Sequence, residues 1–349
     1  MNAAFGPAVV VVLGLICGSF LNAVIHRLPR GIGLAFPRRS FCPGCGRSLP
    51  WRENVPVVSW LFLRGRCAGC GARISARYPL VELVTAVLFL WLWLVFPPGV
   101  AVAYMVLAAL LVASTFIDLE HMIIPDVITL GGAVAGVVLS VAVEGLQAGA
   151  VTWEERLRAS VFGAGAGFAA LFSVVELGKL AFGRKRFDLD PAEEFELGGT
   201  PEAPQLKIGG EDWDLRECFY RPTDTLELHL ADGAIWKLTA SGVAREGRAA
   251  SYAEASGWCG TARAVVVPRE AMGFGDVKFM LVIGSFLGWP GAMFSIAAGS
   301  VIGAVAGLAL LAAKRLGDAG RIPFGPYLAA GALLWIAAGP DFVRWFLLR

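Results

Sequence analysis

Charge is what this sequence has least of. Asp, Glu, Lys and Arg together make up 17% of its 349 residues against 56% hydrophobic ones, where a soluble globular protein is roughly a quarter charged. The shortage argues against a single soluble globule, and the hydrophobic excess rules out a disordered chain. Cysteine is scarce too: 7 residues are too few for a disulfide-stapled scaffold of this length. Basic residues are absent before the first apolar run and follow it instead, so that run lacks the n-region of a cleavable signal peptide and is expected to stay in the membrane.

The gaps between charges mark the spans. Ala3 to Ile25 carries no charge and is long enough for a membrane helix, which needs roughly 20 apolar residues. Leu83 to Ile117 is also charge-free, and Phe96-Pro97-Pro98-Gly99 in its middle predicts a helical hairpin of two spans. Phe279 to Ala313 repeats the pattern around Gly288-Trp289-Pro290-Gly291. Val127 to Val143, Ala159 to Val175 extended past Glu176 and Lys179, and Ile322 to Pro340 extended to Leu348 add one span each, which makes eight. The expected fold is an all-α polytopic membrane protein of eight transmembrane helices.

Orientation follows from the loops. From Arg27 to Arg77 there are ten Arg (27, 30, 38, 39, 47, 52, 64, 66, 73 and 77) against one acid, Glu53. By the positive-inside rule this loop is cytoplasmic and the N-terminus outside. Counting crossings then places 118–126, 183–275 and 314–321 in the cytoplasm, which suits Arg184-Lys185-Arg186 and Lys314, Arg315 and Arg321. The loop with Glu144, Glu154 and Glu155 falls outside.

One stretch has soluble composition. Gly183 to Val267 holds 15 acidic and 10 basic residues and reads as a small β-rich cytoplasmic insert. Thr225–Leu230, a turn at Ala231-Asp232-Gly233, and Ala234–Leu238 predict a hairpin, with further strands at Leu206–Ile208 and Trp213–Phe219. Its net charge of −5 reads as a solvated face that could also attract a basic peptide at short range. The resulting divisions are a first span over 1–26, a cytoplasmic loop over 27–79, spans two to five over 80–182, the insert over 183–267 and the last three spans over 268–349.

The basic loop holds Cys42-Pro-Gly-Cys45-Gly and Cys67-Ala-Gly-Cys70-Gly, two matched knuckles with 21 residues between them. That spacing suits a tetrahedral four-thiolate zinc site, and the glycine after each pair allows a φ > 0 turn that points backbone N–H groups at sulfur. Reduced unligated thiols and a redox pair are the alternatives; cytoplasmic placement disfavours disulfides. The role expected of the metal is structural, because an Arg-rich loop of this size has too little core of its own. Cys17, Cys218 and Cys259 have no partner spacing and are expected to pack.

Two aspartates stand at the membrane edge. Asp118 ends the third span in Phe116-Ile117-Asp118-Leu119-Glu120-His121, and Asp276 opens the sixth in Met272-Gly273-Phe274-Gly275-Asp276-Val277-Lys278. Two spans lie between them, so both carboxyls fall on the same, cytoplasmic, side. An acid near the acyl region is costly unless paired, and two adjacent carboxyls can divide the work of base and acid on a water molecule. Gly273 and Gly275 would let substrate and backbone come close. The alternatives are two solvated interfacial acids, or a proton or ion path with Glu82, Glu176 and Asn22 as relay members. Asp126, Lys278 and His121 read as helix caps or interfacial anchors, and His26 with the Arg series as lipid-phosphate contacts.

These motifs together resemble the type IV prepilin peptidases, leader peptidases of the GxGD aspartic type. The resemblance rests on Gly18-Ser19-Phe20-Leu21-Asn22 through Pro29, both cysteine knuckles, Asn54-Val55-Pro56 and Ser59-Trp60-Leu61. It continues in Arg77-Tyr78-Pro79-Leu80-Val81-Glu82, Asp118 to Asp126, Gly273 to Lys278, and Ile322-Pro323-Phe324-Gly325-Pro326-Tyr327. It implies Asp118 and Asp276 as the catalytic pair, and cleavage of the basic leader of type IV prepilins or type II secretion pseudopilins at the cytoplasmic face of the bacterial inner membrane. It also implies methylation of the new N-terminal residue with S-adenosylmethionine in forms that carry the four-cysteine loop. No glycine-rich loop follows a strand, so sequence names no residue for that methyl donor. The expected partners are prepilins and the lipid bilayer, with no nucleic acid. A non-enzymatic membrane assembly or transport protein with a zinc docking loop is the rival reading. The insert departs from compact members of the family and interrupts no matched motif.

Overall fold

Apolar, charge-poor runs bounded by Pro and Gly become helices in the computed structural model, which describes residues 5–35, 40–200, 203–219, 224–245, 248–268, 272–313 and 322–347. In chain order the helices are α1 (Phe5–Arg27), α2 (Val58–Phe62), α3 (Arg77–Val95), α4 (Pro98–His121), α5 (Asp126–Ala142) and α6 (Trp153–Phe182). After them come the short α7 (Leu215–Cys218) and α8 (Tyr252–Ala255), then α9 (Phe274–Ala312) and α10 (Gly325–Leu347). Arg38, Arg39, Arg269, Glu270, Lys314, Arg315 and Arg321 lie outside the described residues.

Among the described residues five helical segments are long and apolar enough to cross a membrane: Gly6–Arg30, Arg77–Val95, Pro98–His121, Trp153–Leu180 and Phe274–Ala312. Asp126–Ala142 and Gly325–Gly339 are shorter apolar helices. Pro97, extended at φ −56 and ψ 149, separates α3 from α4 where the turn is expected. The longest helix is broken where its own turn residues predict: Gly288 has φ 68 and ψ 179, values that favour glycine.

Such a break frees the carbonyls of the preceding turn, and in a membrane these need partners. Ser285 O accepts from Ser140 Oγ (2.9 Å), Gln147 Nε2 (2.9 Å) and Ser160 Oγ (2.7 Å). Gln147 Nε2 also reaches Phe286 O at 3.2 Å. Gly163 of α6 lies against Gly284 of α9 so closely that a Cβ on either would meet the other's backbone.

Helices α1 to α5, the first two thirds of α6, α9 and α10 belong to one compact unit, residues 1–172 with 273–349. Within it α1 packs along α3 and α4, α5 along α9, and α10 along α9 and α4. Leu21, Val24 and Ile25 of α1 close over Val81 of α3 and Val112, Ala113 and Ile117 of α4, all buried.

The second unit, residues 173–272, is built on one eight-stranded sheet. Its strands are β1 (Arg184–Thr200), β2 (Ala203–Ile208), β3 (Glu211–Asp214), β4 (Thr225–Leu230), β5 (Ile235–Thr239), β6 (Gly242–Arg245), β7 (Arg248–Ala250) and β8 (Cys259–Pro268). The order is β3-β2-β1-β8-β4-β5-β6-β7. Entry and exit strands pair antiparallel from Arg184↔Pro268, so the chain leaves the sheet beside the point where it arrived. The predicted hairpin is β4 and β5, in register from Thr225↔Thr239 to His229↔Ile235, with Gly233 at φ 90 in the turn. Alternation buries Leu226, Leu228, Trp236 and Leu238 on one face.

The strand expected over Trp213–Phe219 needs correction. It stops at Asp214, whose carboxylate accepts the Arg216 N–H and starts α7. An N-cap Asp outweighs the weak alternation after it. Cys259 is exposed at the start of β8 rather than packed, because the pleat turns it to the outer face.

Candidate active site

Asp118 sits in the last turn of α4, which Met122 ends in the left-handed conformation (φ 54) while its N–H bonds back to Asp118 O. From there Ile123-Ile124-Pro125 leads into α5. Asp276 lies in the first turn of α9, its N–H bonded to Gly273 O at 3.2 Å. Each side chain is buried, at 5% and 7% exposure for the two residues. Both stand against the same turn: Gly325, whose N–H bonds Asp118 Oδ2, and Gly275, next to Asp276, each lie against Ile124.

Ile124 is the point around which both are built. A Cβ on Gly325 would stand 2.8 Å from Asp118 Oδ2 and 3.1 Å from Ile124 Cδ1. A Cβ on Gly275 would stand 3.3 Å from Ile124 N. Asp118 Oδ2 accepts the N–H of Gly325 at 3.0 Å, so the positive end of α10 faces this carboxyl. Asp276 Oδ1, by contrast, is buried with no hydrogen-bond partner among the described residues. One carboxyl is therefore anchored and the other has an open acceptor, the arrangement a water-activating pair needs.

Neighbouring groups hold this frame. Lys278 Nζ donates to Asp126 Oδ1 at 2.7 Å and ties the first turn of α9 to the start of α5. Phe274 packs edge-on against Phe168 and Phe172 of α6. Gly325 is the residue that reading the aspartates alone misses. Its only local signal is the Gly325-Pro326 pair that opens α10, with proline in the first helical turn.

The four loop cysteines converge. The sulfurs of Cys42, Cys45, Cys67 and Cys70 all lie within 4.8 Å of one another. Both knuckles have one backbone design: Gly46 N–H bonds to Cys42 O and Gly71 N–H to Cys67 O, with φ of 69 and 72 at the two glycines. Cys42 Sγ and Cys70 Sγ are 3.8 Å apart. Four sulfurs about 2.3 Å from a tetrahedral zinc stand roughly 3.8 Å from each other, so the donor set fits that ion. A disulfide, at about 2 Å, does not fit this pair. Backbone N–H groups of Cys70 and Gly69 pull the Cys67 thiol down to about 6. The N–H of Ala72 pulls Cys70 the same way, but sharing protons with the sulfurs of Cys45, Cys67 and Cys42, together with burial, pushes it up to about 11. Crowded thiolates of this kind ionise together only around a cation.

Asn22 and Glu82 lie at neither of these centres. They line a cavity under the cysteine loop with His26, while Glu176 stands in the other unit.

Comparison with known proteins adds the following. Residues 12–96 match the bacterial peptidase A24 N-terminal domain, and 105–184 with 238–308 match the type IV leader peptidase family. The gap in the second match falls inside the sheet unit. The prepilin leader peptidase/N-methyltransferase of Aeromonas hydrophila is 31% identical over 368 residues, 97% of this chain and 93% of that protein. The protein of the same name from Myxococcus xanthus is 48% identical over 146 residues, 39% of this chain and 42% of its own. The type 4 prepilin-like proteins leader peptide-processing enzyme of Escherichia coli is 42% identical over 187 residues, 48% of this chain and 66% of its own. No solved structure matches the chain.

Proposed function

The chain belongs to the type IV leader peptidase family, and from that premise we propose that it is a membrane aspartic endopeptidase that removes the leader of type IV prepilins or pseudopilins and then methylates the new N-terminus. The observation that carries the peptidase reading is the meeting of Asp118 and Asp276, from helices far apart in sequence, as two buried carboxyls on either side of Ile124. Both fall inside the leader peptidase match.

In this reading one carboxyl is ionised and the other protonated. The ionised one takes a proton from water as its oxygen attacks the scissile carbonyl carbon, and the other protonates the amide nitrogen as the C–N bond breaks. No covalent enzyme intermediate forms. The anchored Asp118 and the open Oδ1 of Asp276 keep the pair asymmetric without fixing which is the base.

Around this centre we read eight spans. The break at Gly288 turns the longest helix into two crossing segments, and α5 and α10 complete the number. The first span covers 1–26, the cysteine loop 27–79, spans two to five 80–182, the insert 183–267 and the last three spans 268–349. The Arg-rich loop supports a cytoplasmic position for both loop and aspartates in the bacterial inner membrane, with the N-terminus outside. The substrate's apolar helix would lie among the spans with its basic leader in the cytoplasm. Cys42, Cys45, Cys67 and Cys70 are read as ligands of a structural zinc that holds the loop together. S-Adenosylmethionine, when bound, supplies a methyl group that leaves its sulfur for the freed amine, which loses a proton. The relatives' names support that second activity.

The test is leader removal in membranes that contain a prepilin. Asp118→Asn and Asp276→Asn are each expected to abolish it at normal protein levels. Retained cleavage in either variant would refute the pairing.

A further inference from the structure

The aspartates account for cleavage and leave the second activity without a site. Both lie outside the N-terminal match, residues 12–96, which holds a cavity of its own, largely apolar with a few polar groups. This cavity, of about 320 Å³, opens between the end of α1, the start of α3 and the cysteine loop. Its volume falls in the range of small-molecule sites. Among the residues that line it are Ser19, Asn22, Arg27, Trp60, Tyr78 and Glu82.

Three observations mark it as built for a ligand. Asn22 is 3% exposed, and its Nδ2 donates to Tyr78 O at 2.9 Å. Because that carbonyl can only accept, the amide's orientation is fixed, and its Oδ1 is left buried with no partner among the described residues. An orphaned acceptor at this depth is costly unless something donates to it. Glu82 places a buried carboxylate in the same cavity, where Oε2 accepts Val57 N–H at 2.6 Å and Ser19 adds a hydrogen bond. Val57 makes that contact from φ 61, a conformation that strains a β-branched residue, so the loop is held to Glu82 against a local cost. Buried Arg27 adds a cation to the lining. The cavity thus offers the carboxyl of Glu82, the cation of Arg27, a free acceptor on Asn22 and the rings of Phe41, Trp60 and Tyr78, which suits a zwitterionic amino-acid moiety joined to a flat base.

We propose that this cavity binds the methyl donor, a ligand of the S-adenosylmethionine class, with Glu82 taking its ammonium group and Asn22 Oδ1 accepting a hydrogen bond from it. The inference rests on the methylation reading above. The two sites share one end of the bundle: Arg77, beside Tyr78, forms an ion pair with Glu120, in the same turn of α4 as Asp118. An amine freed at the aspartates is therefore released near the donor.

The experiment measures S-adenosylmethionine binding to the full-length protein in lipid nanodiscs by calorimetry, alongside leader removal and the N-terminal mass of the processed pilin. Glu82→Gln keeps an acceptor for Val57 N–H, and Asn22→Leu keeps the volume. Each is expected to weaken binding about ten- to a hundredfold, the effect of losing a hydrogen bond to a charged group. Methylation should fall at low donor concentration and recover at high, while leader removal, which also reports folding, stays at the wild-type rate. Unchanged donor affinity in both variants would overturn the proposal. So would lost methylation at unchanged donor affinity, which would assign the cavity to the acceptor amine. A wild-type protein that neither binds the donor nor methylates the pilin would sink the methylation reading itself and the cavity assignment with it.

Discussion

Replacing Gly325 by alanine tests the geometry around Asp118 while leaving both aspartates in the sequence. The new Cβ would stand 2.8 Å from Asp118 Oδ2, 3.3 Å from its Cγ and 3.1 Å from Ile124 Cδ1. Ordinary carbon–oxygen contact begins at about 3.3 Å, so the carboxyl must retreat by roughly half an ångström. That motion also stretches the 3.0 Å hydrogen bond from Gly325 N–H that holds it. Misplacing a catalytic group by 1 Å costs about a hundredfold in rate, and half of that displacement about tenfold, or ~1.4 kcal/mol in the barrier. Initial rates of leader removal over a range of prepilin concentrations should show kcat reduced about tenfold with KM nearly constant. Gly165→Ala, where nothing lies within 4 Å of the new methyl, is the control and should cleave normally. Gly275→Ala, 3.3 Å from Ile124 N, should fall between them, and Gly273→Ala, 3.7 Å from Asp276 Oδ2, close to wild type. A Gly325→Ala protein that cleaves at the wild-type rate, or a series led by Gly273→Ala, would refute the reasoning.

Three further outcomes are expected. Purified protein should carry about one zinc per chain, and Cys42→Ser combined with Cys67→Ser should remove it; unchanged metal content would count against the four-sulfur site. Leu226→Ala, at a fully buried position in the sheet core, should cost about 2–5 kcal/mol. Hydrogen exchange in the full chain should then quicken across 184–268 and leave the spans unchanged; equal quickening in both would show that the sheet does not unfold by itself. Gln147→Leu should leave the Phe286 carbonyl without its side-chain donor and lower stability in detergent by about 1–3 kcal/mol. An unshifted thermal midpoint would mean that other donors suffice.

Local rules made much of this architecture readable. Segments free of charge became helices because a chain buried in lipid or protein cannot leave ions unsolvated, and Pro97 and Gly288 stopped them because each disfavours the next helical turn. The cysteine pairs were legible because two short knuckles specify their own backbone. Parity put both aspartates on one side without any knowledge of packing. What stayed hidden depends on contacts distant in sequence. No local signal pairs Gly325 N–H with Asp118, or brings Arg184 beside Pro268 at the centre of a sheet. Asn22 and Glu82 illustrate the same limit: as isolated polar residues in spans they suggested a relay, and only the fold shows that they line one cavity. Trp213–Phe219 misled for the opposite reason, since a single capping Asp outweighed a pattern of side chains.

The polar knot at Gly288 has a mechanical consequence. Gly288, the break inside α9, lies about 18 Å along the helix from Asp276, near the end of α5 and the beginning of α6. There Ser140, Gln147 and Ser160 rivet three helices to the carbonyls of Ser285 and Phe286. Parting α5, α6 and α9 at that end would strand hydrogen bonds in lipid, whereas at the other end these three helices are joined by apolar contacts and the part-exposed Lys278–Asp126 bridge, the Gly325–Asp118 and Arg77–Glu120 links lying between other helices. The bundle should accordingly open like a clothes peg, stiff at the pivot and widest at the jaws. An incoming transmembrane segment would then meet the least resistance beside the two carboxyls.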